Sequence, residues 1–246
     1  PPRSTLFPYT TLFRSEIAGM AIAFPIGIGL ALVLGVFTNY LPNPEEYNTL
    51  YLFSGVGFVT LAIIINAMAY KRVSQGSKST KGIVLSLVAG LLMSFFYRFV
   101  ADSMSTDLVN IVEGTFTPYA AVFVFSLGIF LSNFIFNYYF MKRPVSGAPV
   151  SYKMYFTQGT IKLHIVGKLG GIIWSLGMML SIMAGDVAGY AISYGLGQGA
   201  TLVAAIWGVF VWKEFRNAPK GTNTMLAAMF AFFIIGLTLI VIARLN

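Results

Sequence analysis

The chain has 246 residues, 57% of them hydrophobic and only 10% charged, with a formal net charge of +8. Soluble domains carry roughly a quarter charged residues, so a water-facing globule is excluded, and 22 Phe, 13 Tyr and 25 Gly point to an all-α, polytopic membrane helix bundle. With no Cys and a single His164, disulfides, iron–sulfur clusters, thiolate zinc and multi-histidine metal sites are excluded, and in a membrane chain a basic excess indicates cytoplasmic loops and no nucleic-acid partner.

Residues 1–15, PPRSTLFPYTTLFRS, read as the conceptual translation of a sequencing-library adapter. One codon choice reproduces the adapter at every residue. A signal peptide would need a continuous apolar core and a small-residue cleavage site, and neither is present. These residues leave the fold argument, and the native N-terminus is expected to lie upstream of a truncation.

Seven apolar runs follow that are long enough to cross roughly 30 Å of hydrocarbon. They lie near Ile17–Tyr40, Thr49–Tyr70, Gly82–Ser103, Thr117–Met141, Ile165–Ala184, Val187–Trp212 and Thr224–Ala243. No polar segment is long enough for a second, soluble domain. The seventh run lacks the lysine that a retinal Schiff base would need.

Charge sets the orientation. Lys71, Arg72, Lys78 and Lys81 follow the second span. Lys142, Arg143, Lys153, Lys162 and Lys168 flank the fourth-to-fifth connection, and Lys213, Arg216 and Lys220 follow the sixth. With alternating helices all of these share one side. The other side holds Glu45, Glu46, Asp107, Glu113 and Asp186, with Arg98 and Arg244. The positive-inside rule puts the basic loops in the cytoplasm and the C-terminus outside, in a multi-pass arrangement expected in a plasma (inner) membrane.

Polar groups in hydrocarbon are costly unless they pair or face water, so they mark candidate sites. In the third span Tyr97, Arg98 and Asp102 lie in the outer third. Arg98 and Asp102 are four apart and can pair, as a snorkelling interfacial pair or as an outer gate. In the fourth span Asn133 and Asn137 share a face with Ser126, for interhelical hydrogen bonds or solute contact. In the fifth, Trp174 is core packing or a stacking wall, Ser175 lies at similar depth, and Gly167, Gly170 and Gly171 suit a gate or a tight crossing. In the sixth, Asp186, Tyr190, Ser193, Tyr194, Gly197, Gln198 and Thr201 recur on one broad stripe. Gln198 falls near mid-membrane, where its amide can both donate to and accept from a neutral solute. Gly185/Gly189 and Gly195/Gly199 are small-residue pairs that allow close packing.

Tyr97, Arg98, Asn133, Asn137, Trp174, Ser175, Tyr190, Ser193 and Gln198 are therefore the candidates for a solute pathway. Asp102, Asp186 and Glu214 are the candidates for gating or coupling, with Glu214 expected to pair with Arg216. His164 reads as an interfacial residue. No Asp or Glu lies near mid-membrane. A coupling proton would need upstream helices or one of the end carboxylates, and facilitated diffusion would need neither. No conventional catalytic set is present, so the chain is not expected to be an enzyme, and no metal or cofactor is implied.

Gly35-Val36-Phe37 near the end of the first span matches Gly208-Val209-Phe210 near the end of the sixth. Each is followed by a proline-containing loop and another span. The first loop is acidic and the second basic, the arrangement of equivalent hairpins on opposite faces of an inverted repeat.

Thr38-Asn39-Tyr40, Phe53-Ser54-Gly55-Val56-Gly57, KGIVLSLVAGLLMSFFY, TPYAAVFVFSLGIF and Asn137-Tyr138-Tyr139-Phe140 then carry a resemblance, as do Gly189-Tyr190, Trp207-Gly208 and Glu214-Phe215-Arg216. Together they resemble the drug/metabolite transporter superfamily in its ureide permease branch, close to the bacterial glucose/rhamnose-type sugar uptake group. The resemblance spans nearly all of residues 17–243. It implies ten helices in two inverted five-helix halves. Residues 16–70 would be the last two helices of the first half, 71–81 a cytoplasmic linker and 82–246 the complete second half. The plant members' long central loop is here only KRVSQGSKSTK; Gly76-Ser77-Lys78-Ser79 lacks the first glycine of a phosphate loop and sits between membrane helices, so nucleotide binding is not expected. The resemblance implies a secondary transporter of small polar solutes, such as sugars or ureide-like compounds, working by alternating access. Its expected partners are a small-molecule solute and the lipid bilayer, with a coupling proton and a homodimer compatible. The alternative is a non-transporting membrane scaffold or lipid-interacting subunit, separated from a transporter by solute flux.

Overall fold

The computed structural model describes residues 27–73, 80–105, 112–144 and 149–244; the adapter-like segment 1–15 lies outside them. The chain forms α1 (Gly27–Tyr40), a short 3-10 turn (Pro44–Glu46), α2 (Thr49–Val73), α3 (Thr80–Asp102), α4 (Pro118–Lys142), α5 (Tyr152–Gln158), α6 (Ile161–Ala188), α7 (Tyr190–Gly197), α8 (Gly199–Ile206) with a π-helical extension Trp207–Val211, and α9 (Thr222–Ile242). Among the described residues, β pairing is limited to an isolated bridge between Met104 and Phe116. Six stretches are long and apolar enough to cross a membrane: α2, Ile83–Asp102, α4, α6, Tyr190–Val211 and α9. The first of the seven expected spans is described only from Gly27, as the shorter α1.

The chain divides into two compact units. One takes the residues up to Arg98 and again from Ala188; the other is Phe99–Val187.

In the first unit α2 and α9 run antiparallel in close contact. Leu52, Gly55, Val59 and Ala62 are buried along α2. Phe233, Gly236, Ile240 and Ala243 are buried at the same spacing along α9 and its cap. The two stripes meet glycine to glycine. A Cβ built on Gly55 would lie 2.7 Å from the Gly236 carbonyl and 2.9 Å from the Ile240 nitrogen. One built on Gly236 would lie 2.8 Å from the Gly55 carbonyl and 2.8 Å from the Val59 nitrogen. Each glycine thus touches its opposite number and the residue four positions beyond it, so the contact is self-complementary about a local two-fold. Lipid is as apolar as leucine, and small residues that let backbones approach are what hold such a pair together.

Both ends of this pair are tied. At one end Asn48 N–H donates to the Ala243 carbonyl at 2.7 Å and Arg244 pairs with Glu46 at 2.8 Å. At the other, the Tyr70 hydroxyl donates to Glu214 at 2.6 Å, and the Tyr70 ring meets Phe215 edge-on. Acidic Glu46 therefore sits at one end. Lys71, Arg72 and the 213–220 segment gather at the other, as the loop charges require.

α1 and α3 lie side by side. Gly27 and Gly90 bring their backbones together, and the Thr38 hydroxyl donates to the Ser94 carbonyl at 3.0 Å. α7 and α8 pack on α9 through Gly195, against Ile240, and Gly199, against Leu237, so the Gly195/Gly199 pair is a packing face.

In the second unit each helix starts on a hydroxyl cap: Thr117 on α4, Ser151 on α5 and Thr160 on α6. The short α5, in the connection that sequence left as a loop, is held back on α4 by Tyr152 O–H donating to the Phe134 carbonyl at 3.2 Å. Large apolar side chains of α4 and α6, among them Phe123, Phe134, Ile173 and Leu180, stay exposed, which water would not tolerate and hydrocarbon does.

One boundary differs from expectation. The turn between the fifth and sixth spans falls at Gly189 and not at Gly185–Asp186, because Gly189 has φ +87, a conformation that glycine adopts without strain. Asp186 consequently belongs to α6. Gly167, Gly170 and Gly171, which suit a gate or a tight crossing, have no described atom within 4 Å of an added Cβ.

Enlarging Gly236 to Val must force α2 and α9 apart. Overpacking of this kind costs about 1–3 kcal/mol, and the purified protein in detergent should melt several degrees lower. Gly177→Ala, where nothing lies within 4 Å, is the control. Equal melting of the two variants would dismiss the close crossing.

Candidate functional site

The first unit contains a polar, tyrosine-rich centre where α1, α3 and α7 meet. Gly35 on α1 leaves the space that the Tyr194 ring occupies. The buried Tyr194 hydroxyl reaches two backbone carbonyls, Ala31 at 3.0 Å and Met93 at 3.3 Å, and so ties α7 to α1 and α3 at once. One helical turn along α3, the Tyr97 hydroxyl donates to Ser193 Oγ at 3.0 Å. Both residues are buried, at 3% and 4% exposure. The Tyr97 ring contacts Tyr194 at 5.4 Å and Tyr190 at 6.2 Å, both edge-on, the geometry that aromatic quadrupoles favour. Asn39 is buried on α1 at 2% exposure. Its amide nitrogen donates to the Gly35 carbonyl at 2.8 Å.

Next to this centre the loop before α2 closes over the start of α7. Ala191 N–H donates to the Tyr47 hydroxyl at 3.4 Å, and a side chain at Gly189 would run into Tyr47 and Arg244. Burial lifts the Tyr47 phenol above its ordinary value, and the nearby Glu46 charge adds to this, while the Ala191 hydrogen bond and Arg244 oppose it. The phenol therefore stays neutral and available as an acceptor.

The sixth span is not one helix. α7 ends and α8 begins at Gln198, with φ −71 and ψ −10. The local hydrogen bonds tighten to Gln198 N–H onto Gly195 and Thr201 N–H onto Gln198, the pattern of a 3-10 turn. The expected continuous stripe is broken there. Tyr190, Ser193 and Tyr194 stand on α7 at the polar centre, and Gln198 is half-buried at the junction. Further along, the π-helical turn lets Glu214 N–H donate to the Gly208 carbonyl at 3.0 Å. Glu214 is exposed, and its carboxylate takes the Tyr70 hydroxyl in place of the expected Arg216. Glu214 and Arg216 are two apart in a tight turn, a spacing at which side chains diverge.

The remaining candidates divide between the units. Arg98 is half-buried at the edge of the first unit. In the second, Asp102 is exposed and Asp186 half-buried. Asn137 donates to Asn133 at 2.6 Å on an exposed face of α4. Trp174 on α6 is 51% exposed, so it is not packed as core within its unit, and Ser175 is half-buried. His164 sits against Tyr155, 3.2 Å from its hydroxyl, as an end-of-helix contact. Among the described residues no group of acidic or histidine side chains could hold a metal ion.

A family model for ureide permeases matches residues 71–243, more than half the chain. The chain belongs to the ureide permease family. Among its relatives, Ureide permease 1 of Arabidopsis thaliana is 28% identical over 74% of this chain and 47% of its own length. Ureide permease 4 of the same plant is 30% identical over 62% of the chain and 38% of its own length. A Listeria monocytogenes protein named for sugar uptake is 25% identical over 92% of the chain and 68% of its own length. The chain thus spans less than half the length of these plant ureide permeases. No solved structure matches it.

Two polar contacts are not evident from sequence: Asn39 enters only within Thr38-Asn39-Tyr40, and Tyr70, the partner of Glu214, only as the end of the second span. Asn39 lies four residues after Gly35, on the buried face with Ala31, Leu32 and Val36. That periodicity is a signal in the sequence that an end-of-span position masks.

The Tyr97–Ser193 bond has a measurable signature. Tyr97→Phe and Ser193→Ala remove the same hydrogen bond from opposite ends. Their effects on melting should therefore be non-additive, with a coupling of about 1 kcal/mol. Strict additivity would mean that the two residues do not share a bond.

Proposed function

We propose that this ureide permease family chain is part of a membrane permease that moves a small, neutral polar solute, sugar-like or ureide-like, by alternating access. The observation that carries this reading is the buried Tyr97–Ser193 pair, flanked by Tyr190 and Tyr194, inside a largely apolar bundle. Uncharged hydroxyls beside aromatic faces suit a neutral solute. They can hydrogen-bond it and cover its flat surface without the cost of desolvating an ion. The names of the relatives, ureide permease and sugar uptake, point to solutes of the same chemistry.

The self-complementary α2–α9 contact supports an inverted repeat. Leu52, Gly55, Val59 and Ala62 find their equivalents in Phe233, Gly236, Ile240 and Ala243 on an antiparallel helix. A two-fold between antiparallel spans lies in the membrane plane, where inverted-topology transporters have theirs. On this reading α1 and α2 close a first five-helix half and α3 to α9 make up the second, with three further helices upstream and residues 1–15 foreign. The half-buried Gln198 at the α7–α8 break is then placed to read the solute, because interrupted helices are where such carriers expose polar groups at mid-depth.

Proteoliposomes of the full-length protein should accumulate labelled allantoin or glucose. Gln198→Leu, which keeps volume and removes the amide, should cut uptake about tenfold or more at equal protein content, the loss expected for hydrogen bonds to a desolvated ligand. If no flux of either probe is seen, the scaffold alternative is favoured. Uptake within twofold of wild type in Gln198→Leu would make that residue a packing element only.

Orientation is tested in the same protein, which has no cysteine of its own in this chain. A cysteine at Asn217 should react with a membrane-impermeant maleimide only from the cytoplasmic side, and one at Glu45 only from outside. The reverse pattern would overturn the topology.

A further inference from the structure

Among the described residues, two buried side-chain oxygens lack a hydrogen-bond partner, Asn39 Oδ1 and Asn66 Oδ1. Native interiors rarely leave such atoms unmatched, and each one calls for a reason. Asn39 is the more informative, because its amide cannot turn. Its nitrogen donates to the Gly35 carbonyl at 2.8 Å, and that same carbonyl also takes the Thr38 hydroxyl at 3.1 Å. Flipping the amide would set its oxygen against the Gly35 oxygen. The free carbonyl is therefore held in one direction, buried at 2% exposure.

Its level in the bundle follows from the register. Gly35 meets Tyr194, and Val36 comes within 3.5 Å of a Cβ built on Gly195. α1 and α7 run in opposite directions, since α1 parallels α3 while Tyr97 on α3 reaches back to Tyr190 and Ser193. One turn beyond Gly35 on α1 is thus level with one turn before Tyr194 on α7, which is Tyr190. Asn39 is therefore level with Tyr190, next to the Tyr97–Ser193 pair.

We propose that Asn39 Oδ1 is the acceptor for an N–H or O–H donor of the transported solute, and so selects solutes that carry a donor over those in which it is blocked. This rests on the permease reading above. A fixed, uncharged carbonyl buried at the level of a neutral hydroxyl pair suits an amide N–H or a sugar hydroxyl. An internal water would satisfy the same oxygen without conferring any selectivity.

The test uses the full-length protein in proteoliposomes, with labelled allantoin and labelled glucose as probes and N-methylallantoin and 3-O-methylglucose as blocked analogues. Asn39→Ala removes the amide. Asn39→Ser is the second variant, since a serine hydroxyl can still bond the Gly35 carbonyl from within the helix while lacking the carbonyl. For whichever probe is transported, both variants should raise the half-saturation concentration of the parent solute tenfold or more and change that of the methylated analogue less than twofold. Parent half-saturation within twofold of wild type in both variants would overturn the inference, as would variants that only improve the methylated analogue, which would make Asn39 a steric wall. Wild-type vesicles that take up neither probe would overturn the permease reading and this inference with it, whereas uptake without a change in selectivity overturns this inference alone.

Discussion

The first unit depends on how closely two backbones can approach in lipid. Between apolar helices in hydrocarbon there is no hydrophobic gain, so association must come from van der Waals contact and hydrogen bonds. Gly55 and Gly236 supply the contact by removing the side chains that would keep α2 and α9 apart. Once these two are fixed, their ends fix the loops. Asn48 and Glu46 are tied to Ala243 and Arg244, and Tyr70 to Glu214. α7 then has a defined wall to lie on, through Gly195 against Ile240. Only with α7 so placed can Tyr194 enter the space beside Gly35 and Ser193 reach Tyr97. The polar centre is thus several contacts removed from any polar residue of the glycine crossing that positions it.

This ordering explains which features were legible in the sequence. Spans and loop charges were readable because each answers to a local rule: backbone must be satisfied within the helix in hydrocarbon, and basic residues stay on one side. The all-helical bundle and most span limits follow from those rules alone. The α7–α8 break did not, because Gln198 and its flanking glycines also satisfy the periodicity of a continuous polar stripe. The turn at Gly189 was displaced by the nearby Gly185–Asp186, which carries the same composition.

The likeness of α2 to α9 is present in the sequence in a form that identity conceals. Gly35-Val36-Phe37 and Gly208-Val209-Phe210 match letter for letter. Yet Gly35 receives a tyrosine ring, and Gly208 faces the Tyr70 hydroxyl and the Glu214 carboxylate, so the two are not used in the same way. The pair that does share a structural role, Leu52-x-x-Gly55-x-x-x-Val59-x-x-Ala62 and Phe233-x-x-Gly236-x-x-x-Ile240-x-x-Ala243, agrees only in spacing, small residues and bulk. Site residues divide along the same line. Tyr97, Tyr190 and Ser193 could be named from their types and do meet. That Asn39 is buried depends on neighbours far away in sequence, and a polar residue near the end of a span looks interfacial until those neighbours are known.

The distribution of charge sets the remaining constraint. Within the first unit, the contacts at the tied ends that involve an ionised group are the Arg244–Glu46 ion pair and the hydrogen bond from the neutral Tyr70 phenol to Glu214; both lie toward solvent, where an ion pair contributes about 0–1 kcal/mol. The centre is neutral, held by hydroxyl, amide and backbone carbonyl groups. A carrier that alternates between two faces must separate contacts at one end and then the other while something stays closed. Weak, solvated ties at the ends can break without burying a charge. The glycine crossing cannot open without forfeiting the dispersion contacts along two full stripes. The α2–α9 pair is thus the most firmly held contact of this unit, and the solvated ties of Glu46 to Arg244 and of Tyr70 to Glu214 are its weaker ones.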